Sequence, residues 1–226
     1  MNQANPQVDR FKQQLREALR QETAQCRVAT IAKHAHVYTC GHQDETVYFI
    51  ESGQIKLLMH APEGRECLLA ILTAGDIFGE LCLAGQGERQ ETATAMQQAV
   101  VRLIPCTQFF LRLSQDALWA GFVQYLAVRI AEQQAIIANL VTVDSEQRLG
   151  QTLLHLARKL GQQDPRSIRI EQRITHEELS AMVGTTRPRI STFMQRFRLL
   201  GLIERSAEHF LIVKEQKLTE YLARSA

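Results

Sequence analysis

The chain has 226 residues, 45% hydrophobic and 22% charged, with a formal net charge of +2, which is the composition of a soluble globular protein with room for one large or two ordinary domains. No apolar run approaches the length that crosses a bilayer and residues 1–9 are polar, so a cytoplasmic address and no membrane partner are expected. Five cysteines (Cys26, Cys40, Cys67, Cys82 and Cys106) form an odd, scattered set without a C-x-x-C pair. That pattern indicates neither a zinc site nor a disulfide framework and leaves small buried hydrophobes as the expectation.

Residues 8–21 place Phe11, Leu15, Ala18 and Leu19 at helical spacing, so a short amphipathic helix opens the fold. From Ala29 the pattern changes to short β-branched and apolar runs at residues 46–50, 54–59, 66–72 and 99–104. They are separated by corners at Cys40-Gly41-His42, Glu51-Ser52-Gly53, Pro62-Glu63-Gly64 and Ala74-Gly75-Asp76. Short strands with Gly at the corners predict a sandwich or jelly-roll barrel, and the lack of α/β alternation argues against a Rossmann-like domain.

Within the barrel, residues 77–93 carry Gly79-Glu80-Leu81 and then Arg89, with Gly75-Asp76 just before. A Gly at the mouth of a helical turn lets backbone N–H groups face an anion, and an Arg arriving from the neighbouring strand supplies a forked donor for a phosphate. A carboxylate beside the Gly can accept from a ribose hydroxyl. The alternative is a salt bridge between Arg89 and Glu80 in an empty pocket. His34-Ala35-His36 would put two imidazoles on one face of a strand, as a metal-binding cupin does, but the next Glu is Glu45 and two solvated histidines are expected.

Residues 115–143 place Leu126, Ile130, Ile137 and Leu140 at steps of four, seven and three, with Gln133 dividing the seven. This is the a/d seam of a helix that pairs with another, and no Gly or Pro follows Gly121. The alternative is one amphipathic helix packed on its own domain. Polar residues 144–148 break the stripe and predict a hinge. Leu149, Leu153, Leu156, Ala157 and Leu160 then mark another amphipathic helix, closed by Gly161 and a loop at residues 162–165; residues 167–173 read as a strand.

Thr175-His176-Glu177-Glu178 is a capping box opening a helix to Val183; Gly184 turns, and a second helix runs from near Thr185-Thr186 through Leu200. Two short helices joined through a Gly, the second carrying Arg in its first turn, are a helix-turn-helix. Ile190, Phe193, Met194 and Phe197 are expected inward, leaving Thr186, Arg187, Pro188, Ser191 and Thr192 toward a groove and Arg189 on the flank. Residues 202–205 and 210–213, around a turn at 206–209, predict a β-wing. From Asp144 onward fourteen Lys and Arg stand against ten Asp and Glu, so this part carries +4 and the rest −2, as a nucleic-acid-binding half would.

Residues 37–103 resemble the cyclic-nucleotide-binding domain, and the whole chain resembles the cyclic-AMP receptor protein / fumarate-nitrate regulator (CRP/FNR) family of bacterial transcription factors. Gly79-Glu80-Leu81, with Arg89 nine residues after Glu80, matches the family's phosphate-binding cassette. The resemblance implies Glu80 for the ribose and Arg89 for the cyclic phosphate. Gln90 and Glu91 stand where cassettes place Ser, Ala or Thr, and Gln133 and Gln134 stand where a Thr-Ser pair touches adenine; a primary amide can donate to and accept from a purine edge. Arg187 matches the leading recognition Arg, while Pro188 replaces the usual Glu and Thr192 the second Arg, so the family's well-known half-site is not expected. Iron–sulfur members cluster N-terminal cysteines where this chain has only Cys26, so that cluster is not expected. Haem would need Cys82 and a second ligand that does not suggest itself.

The expected architecture is α+β: residues 1–114 an N-terminal helix and β jelly-roll that binds a cyclic nucleotide, residues 115–143 a dimerisation helix, and residues 144–226 a winged helix-turn-helix. The expected function is a homodimeric transcription regulator that binds double-stranded DNA under control of an effector at Gly79, Glu80, Leu81, Arg89, Gln90, Gln133 and Gln134. Cyclic AMP leads, ahead of cyclic GMP and a cyclic dinucleotide. No tightly bound cofactor, metal or catalytic constellation is expected, and contact with RNA polymerase is left open. The alternatives are a regulator of the same fold that binds DNA constitutively or senses another ligand or a redox signal, and a cupin-type metalloenzyme.

Overall fold

The computed structural model describes residues 5–21, 27–61, 63, 66–85, 87–115, 117–206, 208 and 210–224. Cys26, most of the turn expected at 62–64 and half of that expected at 206–209 lie outside the described residues. The chain divides into two compact units, with the boundary between Ala131 and Glu132.

In the first unit, helix α1 (Pro6–Gln21) buries Val8, Phe11, Leu15, Ala18 and Leu19 along one face. Pro6 is tolerated because it occupies the first turn, where an N–H has no helical partner. Eight strands follow: β1 (Arg27–Ile31), β2 (His36–Tyr38), β3 (Thr46–Ser52), β4 (Gln54–His60), β5 (Glu66–Thr73), β6 (Ile77–Phe78), β7 (Thr92–Ala95) and β8 (Ala99–Pro105). They form two four-stranded sheets, ordered β1-β8-β3-β6 and β2-β7-β4-β5, with every pairing antiparallel. This is the jelly-roll that the sequence predicts.

Strand β3 is buried on both sides because successive side chains point to opposite faces. Tyr48 and Ile50 join the barrel interior with Ile55, Phe78, Ala93 and Val101. Val47 and Phe49 face a second cluster with Phe11, Leu15, Ile104, Phe109 and Phe122. Burying a side chain such as Phe49 stabilises by about 1.5–3 kcal/mol, so the helices on the outside are as much part of the core as the barrel is. At the β3–β4 corner, Gly53 has φ +88°, and a Cβ there would lie 2.5 Å from the Ala99 Cα.

Two expectations need correcting here. His34 lies in a turn with φ 68°, not on a strand, while His36 starts β2 and its Nδ1 meets the Thr94 hydroxyl at 2.9 Å, so the histidines do not share a strand face. The long helix expected over residues 115–143 is present, but it begins four residues later than expected. Helix α2 (Cys106–Gln115) ends first; Ala117 takes φ 52°, and the Leu118 N–H closes on the Leu113 carbonyl at 2.9 Å. That is a left-handed helix stop, and α3 (Trp119–Thr142) then starts afresh. Phe122 and Tyr125 of α3 are buried, and Leu126 packs partly against the same core.

The second unit holds α4 (Ser145–Leu160), β9 (Gln162–Asp164), β10 (Ser167–Ile170), α5 (His176–Val183), α6 (Arg187–Leu199), β11 (Ile203–Arg205), β12 (Leu211–Val213) and α7 (Glu215–Arg224). The Asp144 carboxylate caps α4 by accepting from the Glu146 and Gln147 N–H groups. The capping box of α5 is complete, since Thr175 accepts from the Glu178 N–H and Glu178 accepts from the Thr175 N–H. Gly184, φ 68°, makes the turn into α6. Strands order β11-β12-β10-β9, and the β11–β12 hairpin is the expected wing. The segment read as a loop, 162–165, instead contributes the exposed strand β9, and the strand expected at 167–173 stops at Ile170.

Candidate functional site

The cassette is built on the turn after β6. Gly79 has φ 75° and ψ 10° and opens a 3-10 turn, Glu80–Ala84. A Cβ at Gly79 would stand 2.7 Å from Arg89 Nη1, so only glycine lets the guanidinium lie against this backbone. Arg89 stands just before β7 and not within a strand, and it is 3% exposed. Its Nη1 donates to the Gly79 carbonyl at 2.7 Å, and its Nη2 donates to the Asp44 carboxylate at 2.7 Å and to the Thr46 carbonyl. The guanidinium also lies over the Tyr38 ring, 4.4 Å from its centroid. Its Nε is buried and has no partner.

The Arg89–Glu80 pair offered as an alternative is not what forms. Glu80 pairs with Arg129 of α3 at 2.6 Å, and Arg89 pairs with Asp44. Burial lifts the Glu80 carboxyl above its ordinary range, partly offset by Arg129. Asp44 is lifted by burial too, but hydrogen bonds at Thr46, Tyr48 and Arg89 outweigh this and hold it below the usual range. Glu91, the extra carboxylate after the Arg, turns inward and accepts from the Tyr38 hydroxyl at 2.6 Å. Burial first, then Glu91, pushes the Tyr38 phenol well up, so it remains a donor. Leu81 and Gln90 are exposed beside the turn, and Gln133 and Gln134 are exposed on α3.

Sequence reasoning missed Asp44, Arg129, Tyr38 and Tyr48 here. Arg129 had a signal, lying four residues before Gln133 and therefore on the same side of α3. Asp44 had none. The residues fit a small anion bearing hydroxyls. A buried N–H of Arg89 is left to donate, the Glu80 carboxylate can accept, and aromatic rings wall the guanidinium.

In the second unit the helix-turn-helix presents Thr186, Arg187, Pro188, Arg189, Ser191 and Thr192 on an exposed face, while Ile190, Met194 and Phe197 are buried and Phe193 is half-buried. Thr186 is the N-cap residue without a side-chain bond, and Pro188 stands in the first turn of α6. Ser191 is engaged by His176 Nδ1 at 2.9 Å, and the Thr192 hydroxyl donates to the Pro188 carbonyl at 3.2 Å. Partial burial, and then Arg198, Arg205 and Arg187, hold the His176 imidazole below its ordinary range. Those three guanidiniums make the face electropositive, and the sequence reading had not joined Arg198, Arg205 or His176 to it.

The family profile of the cyclic nucleotide-binding domain matches residues 28–116, and that of the Crp-like helix-turn-helix domain matches residues 147–221. The cAMP-activated global transcriptional regulator CRP of Escherichia coli is 30% identical over 167 residues, 72% of this chain and 78% of that protein. The CRP-like cAMP-activated global transcriptional regulator of Mycobacterium tuberculosis is 29% identical over 185 residues, 80% of this chain and 82% of that protein. Among solved structures, a CooA mutant from Carboxydothermus hydrogenoformans superposes with a TM-score of 0.73 at 29% identity, covering 87% of this chain and 88% of that one. The c-di-GMP responsive global regulator CLP of Xanthomonas campestris shares the fold, with a TM-score of 0.72 at 20% identity over 88% of this chain and 98% of that one. A jelly-roll that matches the cyclic nucleotide-binding domain, a long helix and a Crp-like helix-turn-helix thus occur in one chain, and this chain belongs to the CRP/FNR family of transcription regulators.

Proposed function

We propose that the protein is a homodimeric, cytoplasmic, DNA-binding regulator switched by a small anionic effector, cyclic AMP, seated on Arg89. The domains would run 1–114, 115–143 and 144–226. The observation that carries the reading is the Arg89 Nε–H, buried without a partner beside the left-handed Gly79 turn. An unsatisfied buried donor costs about 1–3 kcal/mol, and an anion relieves that cost. Glu80 takes the ribose hydroxyl, Gly79, Leu81 and Gln90 border the phosphate, and Gln133 and Gln134 offer amides to the base. The cAMP-activated relatives favour this nucleotide over cyclic GMP or a cyclic dinucleotide.

Effector binding favours one packing of the paired α3 helices, and the recognition helices α6 then meet successive major grooves. Moving from mostly inactive to mostly active takes about 5 kcal/mol of such preference. On DNA, Arg187 reads a base edge or grips phosphate with Arg189, Thr186, Ser191 and Thr192 around it, and Pro188 leaves the position without a carboxylate for cytosine.

Titration calorimetry with cyclic AMP, cyclic GMP and cyclic di-GMP tests the effector. Binding of cyclic AMP that is lost in Arg89→Ala is expected. Arg187→Ala is expected to weaken specific DNA binding by about 1–3 kcal/mol with the dimer intact, read by fluorescence anisotropy; an unchanged affinity removes Arg187 from the reading. A second reading is favoured by Asp44, Gly79 and Thr46 already holding both Arg89 amino groups: a regulator that binds DNA without effector, the barrel serving as scaffold. No heat with any of the three nucleotides, together with tight DNA binding, selects it.

A further inference from the structure

Two thiols meet behind the cassette. Cys82 is the middle residue of the turn Glu80–Ala84 and is buried; Cys106 is the first residue of α2 and is half-exposed. They come from different elements into one apolar cluster with Val47, Ile104 and Phe109, where each thiol lies within the electrostatic reach of the other. Each is also tied to one wall of the Arg89 cradle. The Cys82 N–H donates to the Gly79 carbonyl at 3.4 Å, the carbonyl that accepts from Arg89 Nη1. The Cys106 N–H donates to the Glu45 carbonyl at 2.8 Å, and Glu45 stands between Asp44 and Thr46, the two residues that accept from Arg89 Nη2.

We propose that Cys82 and Cys106 form a redox-reversible disulfide, driven by a hydroperoxide, that staples the two walls around Arg89 and holds the guanidinium on its internal acceptors. The consequence for effector binding rests on the function proposed above; the bond itself does not. Cys106, the less buried of the two residues, attacks the peroxide as thiolate, breaking the O–O bond to give a sulfenic acid and hydroxide. The Cys82 sulfur then attacks the Cys106 sulfur and expels the oxygen as water. In balance, two thiols lose two electrons and two protons and one hydrogen peroxide becomes two waters. Cys82 suits the second role, because burial first and Cys106 next push its thiol up to about 12, so it stays protected until its partner is oxidised. Closing the two sulfurs to a bond of about 2.05 Å pulls the turn toward α2, and reducing thiols reverse it.

The test is non-reducing peptide mapping of the full chain after a brief hydrogen peroxide pulse. A Cys82–Cys106 linked peptide is expected, lost with dithiothreitol, absent in Cys106→Ser and retained when the exposed Cys40 and Cys67 are both replaced by Ser. Oxidation confined to Cys40 and Cys67, or Cys106 oxidised beyond sulfenic acid with Cys82 still a thiol, overturns the proposal. Calorimetry with cyclic AMP on the reduced and linked protein is expected to show about tenfold weaker binding after linkage, and no such change in Cys106→Ser. Equal affinity in both states overturns the stapling of Arg89. If the reduced protein binds no cyclic AMP, the effector reading has failed, and the linked peptide still decides whether the bond forms.

Discussion

Asp44 already occupies the Arg89 guanidinium, on which the proposed effector phosphate would sit. It bonds Nη2 at 2.7 Å and is itself held by the Tyr48 hydroxyl at 2.6 Å, so the cradle is closed by the protein's own carboxylate. An anion must compete with it. Asp44→Asn keeps the shape and removes the charge, and calorimetry on the variant is expected to show cyclic AMP bound about tenfold more tightly, roughly 1.4 kcal/mol; equal or weaker binding counts against a competing role. The same variant has a pH signature. A carboxyl whose pKa is lower folded than unfolded adds stability above its unfolded value, and loses it as pH falls through the folded one. Asp44 is such a group. Acid unfolding below about pH 4 should therefore be less steep in Asp44→Asn than in the parent.

Between α3 and α4 lie only Val143 and Asp144, the place where polar residues predict a hinge. The joint is pinned rather than loose. Arg148 donates from Nε to the Val183 carbonyl at 2.9 Å and from Nη1 to the carbonyls of Leu140, at 3.4 Å, and Val143. One guanidinium thus satisfies a carbonyl of the last turn of α3, the Val143 carbonyl just beyond it and the last carbonyl of α5, at helix ends that leave such groups without partners. Gly184 lies in the same joint, where a Cβ would come 3.2 Å from Leu140. Arg148→Ala should strand these acceptors at a cost of about 1.5–3 kcal/mol, seen in hydrogen-exchange mass spectrometry as amide exchange roughly 10- to 150-fold faster in segments 140–150 and 180–186. Unchanged exchange would show that the clasp is dispensable.

Helix α3 exposes the large apolar residues Val123, Ile130, Ile136, Ile137, Leu140 and Val141, with Ile137 62% exposed. Val123, Ile130, Ile137 and Leu140 repeat at coiled-coil spacing, so the stripe extends the expected seam one turn toward Trp119, while Leu126 is shared with the core of its own unit. An unpaired stripe of this kind is what a second copy would cover. A carboxylate in its middle should prevent that. Ile137→Glu is expected to sediment as the 25.7 kDa chain rather than at twice that mass, with specific DNA binding lost alongside; a variant that remains a dimer shifts the interface elsewhere.

What the sequence by itself determined were the features whose cause lies within a turn or two of chain. Thr175 and Glu178 cap α5 because the partners are three residues apart, and the Gly184 turn, the α6 face and the Gly79 turn are local in the same way. Alternation named the strands but not their neighbours. Strand β9 was missed because Gln162–Asp164 is polar and exposed, and becomes a strand only by pairing with β10. The left-handed stop at Ala117 was missed because no Gly or Pro marks it. Tertiary structure alone decided who holds Arg89. Asp44 is 45 residues away in sequence, and Glu80 and Cys82 find Arg129 and Cys106 only once the sheets close and the helices pack on them. Local propensity fixes which element forms, whereas the partner of a buried charge or thiol is fixed by which distant segments the core brings into contact, and no pattern along the chain encodes that distance.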